Sequence, residues 1–213
     1  MRVAPEAWPF VLPFPLLALF FLLKGRPRKA IGALVAGIGI LLFFRDPRRQ
    51  FEGEEEIVLA PADGRVTAID TVEVPALGDT PCRRIVTFLS VFDVHVQRVP
   101  ASGVVVTSRH RPGRKIAAFF EHADRVNESH LTILERADGD RVGIRQIAGL
   151  LARRIVCRLV PGQTVRRGES LGLIKFGSRV DLLVPGEYEV LVSRGDRVRN
   201  GETPVARPGD SGP

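Results

Sequence analysis

The chain carries Phe176-Gly177-Ser178-Arg179-Val180-Asp181, a Gly-Ser pair between apolar, strand-like runs at 171–174 and 182–184. A serine hydroxyl can attack the carbonyl of the residue before it, provided the backbone is bent into a strained geometry. Glycine is the neighbour that tolerates this best, having no Cβ. The resulting ester eliminates readily, because the serine α-proton is acidified by the adjacent carbonyl. Dehydroalanine follows, and hydration with loss of ammonia leaves a ketone, a pyruvoyl group, at the new amino terminus. Gly-Ser is also a common turn dipeptide, so the pair acquires meaning only from its company.

Two other segments supply acid–base groups. Pro61-Ala62-Asp63-Gly64 follows an apolar run, and a carboxylate there suits the orienting role in a nucleophile–base–carboxylate constellation. The plain β-turn reading has its own control in Ala137-Asp138-Gly139, where the same tripeptide recurs. In Phe92-Asp93-Val94-His95-Val96-Gln97-Arg98-Val99-Pro100, strand alternation puts His95 on one face with Asp93 and Gln97. A histidine beside a carboxylate is a proton shuttle near neutral pH. A satisfied core histidine is the bland alternative. His110, His122 and His130 sit in polar surroundings and receive no role. The two cysteines, Cys82 and Cys157, are far apart and have no metal-ligand spacing, so neither a zinc site nor a disulfide framework is expected. They fit a reducing, cytoplasmic setting.

Charge is unevenly placed along the 213 residues. The net charge is +7, and residues 1–50 contribute +6 of it, with eight cations against Glu6 and Asp46. The basicity therefore belongs to one segment, and no nucleic-acid footprint covers the rest. Its cations flank two uncharged apolar runs, 8–23 and 30–44. As helices these reach about 24 Å, against a hydrocarbon core of about 30 Å. Residues 1–50 are expected to form a membrane anchor, either a shallow hairpin in one leaflet or a pair of spans. The second form carries the four cations of 24–29 across the membrane, against the positive-inside tendency. A catalytic body on the cytoplasmic side of the cell membrane is the expected location.

From residue 57 onwards, short β-rich runs alternate with turn signals. Strands are expected at 66–72, 84–88, 103–107, 131–134, 141–147, 155–159, 171–175, 180–184 and 189–193. The fold class is mainly β, a sandwich or barrel, with an apolar helical segment before it. Residues 119–123 or 146–153 are candidates for short helical turns. A G-x-x-V-x-x-G scheme recurs at Gly162–Gly168 and Gly195–Gly201. It resembles the paired hairpins of lipoyl and biotinyl carrier domains, which bears on fold alone.

The set formed by Pro61-Ala62-Asp63-Gly64, the segment 89–100, Gln146-Ile147-Ala148-Gly149 and Phe176–Asp181 occurs in one order and resembles the short-form phosphatidylserine decarboxylase proenzymes. That resemblance runs from about residue 59 to 185. It implies self-cleavage at Gly177-Ser178, giving a β chain of 1–177 and an α chain of 178–213 that stay associated, with Ser178 converted to a covalent pyruvoyl cofactor. The implied triad is Asp63, His95 and Ser178. The sequence pattern itself sets the expected body at 51–205, followed by a flexible tail at 206–213. Many longer members carry His-x-x-His where this chain has His95 and Arg98, so His95 would serve both serine activation and later protonation. The implied substrate is a membrane phospholipid, phosphatidylserine or its archaeal ether analogue archaetidylserine, decarboxylated to the ethanolamine lipid. Arg98 and Arg179 are candidates for its phosphate, and homo-oligomers are left open. The competing class is a non-catalytic, membrane-tethered carrier or adaptor of the lipoyl/biotinyl type, modified at Lys175. The flank Phe176-Gly177-Ser178 does not suit that modification.

Overall fold

The apolar runs at the amino terminus form helices because their leucines, alanines and phenylalanines offer no polar side chain to compete with backbone bonding. The computed structural model describes residues 2–78, 80–114, 116–117, 123–150, 154–175 and 178–209, and divides at Arg48/Arg49 into two compact units. In the first unit, α1 (Trp8–Val11), α2 (Pro13–Leu23) and α3 (Pro27–Phe43) follow β1 (Arg2–Val3) and precede β2 (Arg45–Asp46). β1 pairs antiparallel with β2, so the hairpin is closed at its base. Small residues let α2 and α3 approach: Ala18, Ala30 and Ala33 are buried together, and a Cβ on Gly37 would stand 3.0 Å from that of Phe14. Trp8, Leu12, Leu16, Phe20, Leu34 and Ile38 remain exposed. Pro5–Leu23, at 19 residues, is long and apolar enough to cross a membrane.

The second unit is mainly β. Its strands are β3 (Val58–Leu59), β4 (Gly64–Val72), β5 (Cys82–Leu89), β6 (Val96–Arg98), β7 (Gly103–Arg111), β8 (Ser129–Glu135), β9 (Arg141–Ala148), β10 (Arg154–Cys157), β11 (Thr164–Val165), β12 (Ser170–Lys175), β13 (Ser178–Pro185), β14 (Glu189–Val190), β15 (Arg197–Val198) and β16 (Pro204–Arg207), with α4 (Ala123–Val126) before β8. Eight of them form one sheet in the order β11-β7-β8-β9-β13-β5-β4-β15. Two three-stranded sheets, β10-β12-β6 and β14-β16-β3, complete the unit.

That order is symmetric about the β9/β13 junction. The elements β6–β12 repeat the connectivity of β3–β5 followed by β13–β16, and the recurring glycine scheme supplies matching hydrogen bonds. Gly162 N donates to Val105 O and Gly195 N to Val66 O, both at 2.8 Å. Gly168 N donates to Val99 O at 2.9 Å, and Gly201 N to Ala60 O at 3.0 Å. All four glycines have positive φ, which lets the turns close without strain. Each half also brings a glycine against a neighbouring strand. A Cβ on Gly64 would lie 2.2 Å from Phe88 O, and one on Gly103 would lie 2.5 Å from Glu135 O.

β13 is buried from Ser178 through Val184, on both faces. One face joins Ile85, Leu89, Ile144, Leu171 and Ile174 in the main core. The other carries the bidentate Arg179–Asp181 pair (2.6 and 2.9 Å) and Leu183, packed with Val74 and Cys82.

Two expectations are corrected. A tail flexible from 206 is not what the structure shows: Pro204–Arg207 forms β16, with Val205 and Ala206 buried and pairing to both β14 and β3. Its short apolar pair finds partners only in distant segments, which local composition does not reveal. A helical turn at 146–153 is excluded for Gln146–Ala148, which belong to β9; residues 151–153 and 118–122 lie outside the described set. α4 takes up only Ala123 of the 119–123 segment.

Candidate active site

Ser178 opens β13, and the register places its side chain on the core face with Leu89 of β5 and Ala148 of β9. The residue is fully buried, and its Oγ has no hydrogen-bond partner among the described residues. An unsatisfied buried hydroxyl costs about 1–3 kcal/mol, a penalty that a merely structural serine avoids. Gly177 lies outside the described residues. The chain leaves the three-stranded sheet at Lys175 and enters the eight-stranded sheet at Ser178, so the Gly-Ser bond falls where it changes sheets.

His95 stands beside the strand that delivers this crossing. β6, beginning at Val96, pairs with β12 through Val96–Leu173, and Ile174 N donates to His95 O at 3.4 Å. The imidazole is buried, with Nδ1 3.0 Å from the carbonyl oxygen of Asp93. A carbonyl only accepts, so Nδ1 carries the proton and Nε2 is the basic nitrogen. Strand alternation sets His95 alongside the carboxylate of Asp93, and here the structure differs. Residues 90–93 form a turn, and that carboxylate accepts from Ser90 N (2.8 Å) and Ser90 Oγ (2.7 Å). Aspartate bonding to nearby backbone competes with strand formation, which is why the strand starts only at Val96.

Asp63 is buried between two donors. Its Oδ1 accepts from Asn200 N at 2.8 Å and its Oδ2 from Arg49 Nη2 at 2.9 Å. Asn200, fully buried, joins this carboxylate to the histidine segment, since its Nδ2 donates to Val96 O at 2.9 Å. Its Oδ1 accepts from Arg98 Nε at 3.1 Å. Asp63, His95 and Ser178 are thus set by neighbouring elements. Gly64 abuts Phe88, next to Leu89, the register partner of Ser178, while Asn200 fixes the backbone adjoining His95.

Two glutamines buttress the same region. Gln146 Nε2 donates to Gln97 Oε1 at 2.9 Å, and Gln97 Nε2 donates to His95 O at 2.8 Å, both residues being fully buried. Asn200 and Arg49 escaped the sequence reading, although Asn200 occupies the place of Arg167 in the glycine repeat; Gln97 and Gln146 were named there, but not the bond that joins them. Arg98 also donates to Gly168 O at 2.9 Å, and Arg179 faces away from the Ser178 side of β13. Of the histidines given no role, His110 approaches Glu128 (3.3 Å) and His130 approaches Ser108 (3.0 Å), burial holding the latter below its ordinary pKa. His122 lies outside the described residues.

Residues 39–206 match the family model described as phosphatidylserine decarboxylase. The chain belongs to the phosphatidylserine decarboxylase family. Bacterial relatives named phosphatidylserine decarboxylase proenzyme include those of Saccharopolyspora erythraea, 42% identical over 95% of this chain and 86% of the relative, and Syntrophus aciditrophicus, 39% identical over 95% and 96%. That of Gluconacetobacter diazotrophicus is 42% identical over 97% of this chain and 94% of its own. The matched region of this decarboxylase-family chain contains Asp63, His95 and Ser178.

Proposed function

We propose that the chain is a proenzyme that cuts itself between Gly177 and Ser178 and then decarboxylates phosphatidylserine to phosphatidylethanolamine at a membrane. The observation that carries this reading is the buried Oγ of Ser178, without a partner among the described residues, at the sheet crossing beside His95. His95 Nε2 takes the Ser178 hydroxyl proton as Oγ adds to the Gly177 carbonyl carbon. The Gly177–Ser178 amide bond then breaks, its nitrogen leaves protonated, and an ester joins the two residues. Removal of the Ser178 α-proton expels the Gly177 carboxylate. Asp63 acts as the orienting carboxylate, tied through Asn200 to the backbone next to the imidazole.

The surroundings of Ser178 suit a pyruvoyl group, since converting the side chain to a ketone breaks no hydrogen bond of Oγ to the described residues. That group supplies the electron sink for the electrons released with carbon dioxide. His95 returns a proton to the substrate α-carbon, the second duty implied by Arg98 standing where a second histidine occurs elsewhere. The two fragments remain together because β13 lies between β5 and β9, while β15 and β16 pair with β4 and β3. The apolar hairpin is read as the anchor, with the β unit on the cytoplasmic side, compatible with two free cysteines.

A Ser178→Ala chain is expected to stay at full length by intact mass, and the wild type to give fragments of 1–177 and 178–213, the second without a free amine. A cut that persists in Ser178→Ala removes the self-cleavage reading.

A further inference from the structure

The two strands that flank Ser178 run directly into loops with outward apolar side chains. β5 and β9 both pair antiparallel with β13, so both leave the sheet at the end where Ser178 begins. Past Leu89 come Val91 and Phe92, 45% and 83% exposed, and past Ala148 comes Leu150, 67% exposed. Phe92 and Leu150 are the most exposed large apolar side chains of the β unit among its described residues. Two strand spacings, about 10 Å, separate the loops, with the start of β13 between them.

The first loop is built to hold its tip outward. Asp93 N donates to Ser90 O at 3.0 Å, while the Asp93 carboxylate takes both donors of Ser90, so Val91 and Phe92 occupy the centre of a braced turn. Cations stand alongside: Arg197 approaches Asp93 (3.8 Å), and Arg154 pairs in register with Lys175 at the end of β12. Apolar tips with a basic margin are the combination that inserts shallowly into an anionic bilayer surface.

We infer that Phe92, Val91 and Leu150 form a lip that docks the mouth of the active site onto a phospholipid surface, so that a head group reaches Ser178 without its acyl chains leaving the bilayer. This inference rests on the proposed lipid substrate. It adds a second membrane contact, belonging to the β unit and separate from the apolar hairpin.

The test uses the processed full-length enzyme. A Phe92→Ser/Leu150→Ser variant is expected to process normally and to decarboxylate monomeric dihexanoyl phosphatidylserine like the wild type. On vesicles of phosphatidylserine and phosphatidylglycerol its kcat/KM should fall about tenfold or more, two large side chains being withdrawn from the lipid. In a Trp8→Phe background, the emission of a Phe92→Trp variant should be quenched by vesicles with brominated acyl chains. Equal losses on monomeric and vesicle substrate, or an indole at this position that the brominated chains leave unquenched, overturn the lip. Absence of activity on both substrates in the wild type instead defeats the underlying decarboxylase reading. Should the double variant fold poorly, the quenching measurement decides alone.

Discussion

Pro61-Ala62-Asp63-Gly64 and Pro100-Ala101-Ser102-Gly103 occupy equivalent places in the two halves of the β unit, and they differ at the one position that faces a repeat turn. In the first half, Asp63 Oδ1 accepts from Asn200 N; in the second, Ser102 Oγ accepts from Arg167 N at 3.0 Å. Asn200 and Arg167 hold the same place in their turns, each followed by a positive-φ glycine. The backbone frame is thus common property of both halves, and its job is to close the sheet. What differs is charge. Asp63 adds a buried carboxylate tied to Arg49, and through Asn200 to the backbone beside His95. Ser102 adds a neutral hydroxyl that donates to Glu55, with the Arg167 side chain spent on the carbonyls of Gly53, Glu54 and Ile57. Single-residue exchange within a shared hydrogen-bond scaffold thus gives the two halves different charge, a buried carboxylate at Asp63 and a neutral hydroxyl at Ser102.

Imposing the second half's residue on the first breaks this contrast most severely. Asp63→Ser retains an acceptor for Asn200 N but removes the charge. Self-cleavage, followed by intact mass after synthesis, should slow on the order of 100-fold or more, the usual scale for loss of an acid–base group or its support. Stability should fall as well, by about 1–3 kcal/mol, the loss being limited because Arg49 keeps its 2.7 Å bond to Glu202. Cleavage at the wild-type rate in a folded Asp63→Ser chain would remove Asp63 from the mechanism.

Much of this arrangement could be read before any coordinates. The Gly-Ser pair, the Asp63 turn and His95 are each an ordinary turn or core feature when taken alone, and only their order along the chain, resembling that of the decarboxylase proenzymes, singles them out. The long strands were legible by themselves: alternating β-branched runs such as 66–72 and 141–147 carry their period with them. The very short strands β3, β11, β15 and β16 were not, since two to four residues exist as strands only through partners far away in sequence. Asn200 and Arg49 were missed on similar grounds. Nothing in Arg199-Asn200-Gly201 signals a carboxylate 137 positions earlier. The usable clue was the comparison of repeats, where asparagine replaces arginine opposite the one turn that holds an aspartate.

A milder test addresses that asparagine as a positioning residue. Asn200→Ala keeps the backbone N–H donated to Asp63 but deletes the bonds to Val96 O and from Arg98. Processing should slow by about tenfold, with about 1–3 kcal/mol lost for the buried groups left unpaired. The equivalent change in the other half, Arg167→Ala, provides the control. It breaks three carbonyl bonds, so it should lower the melting temperature while leaving the cleavage rate near wild type. If both variants slow cleavage in proportion to their instability, Asn200 acts on the fold alone and has no bearing on the imidazole.

The smallest effect belongs to Ser102→Ala. Its hydroxyl takes one backbone donor and gives its own proton to an exposed glutamate, so the loss should be about 0.5–1.5 kcal/mol, read by denaturant unfolding. Cleavage should continue unchanged, because the Ser102 hydroxyl bonds to Glu55 and Arg167, away from the His95 segment and β13. That outcome, set against the slowed cleavage of Asp63→Ser, would locate the functional difference between the halves in a single carboxylate. A Ser102→Ala chain that cleaves slowly would mean instead that the second half transmits strain to the Gly177–Ser178 bond. The symmetry of the sheet offers a route for that, since β9 of the second half lies directly against β13 and pairs with Ser178 through Ala148.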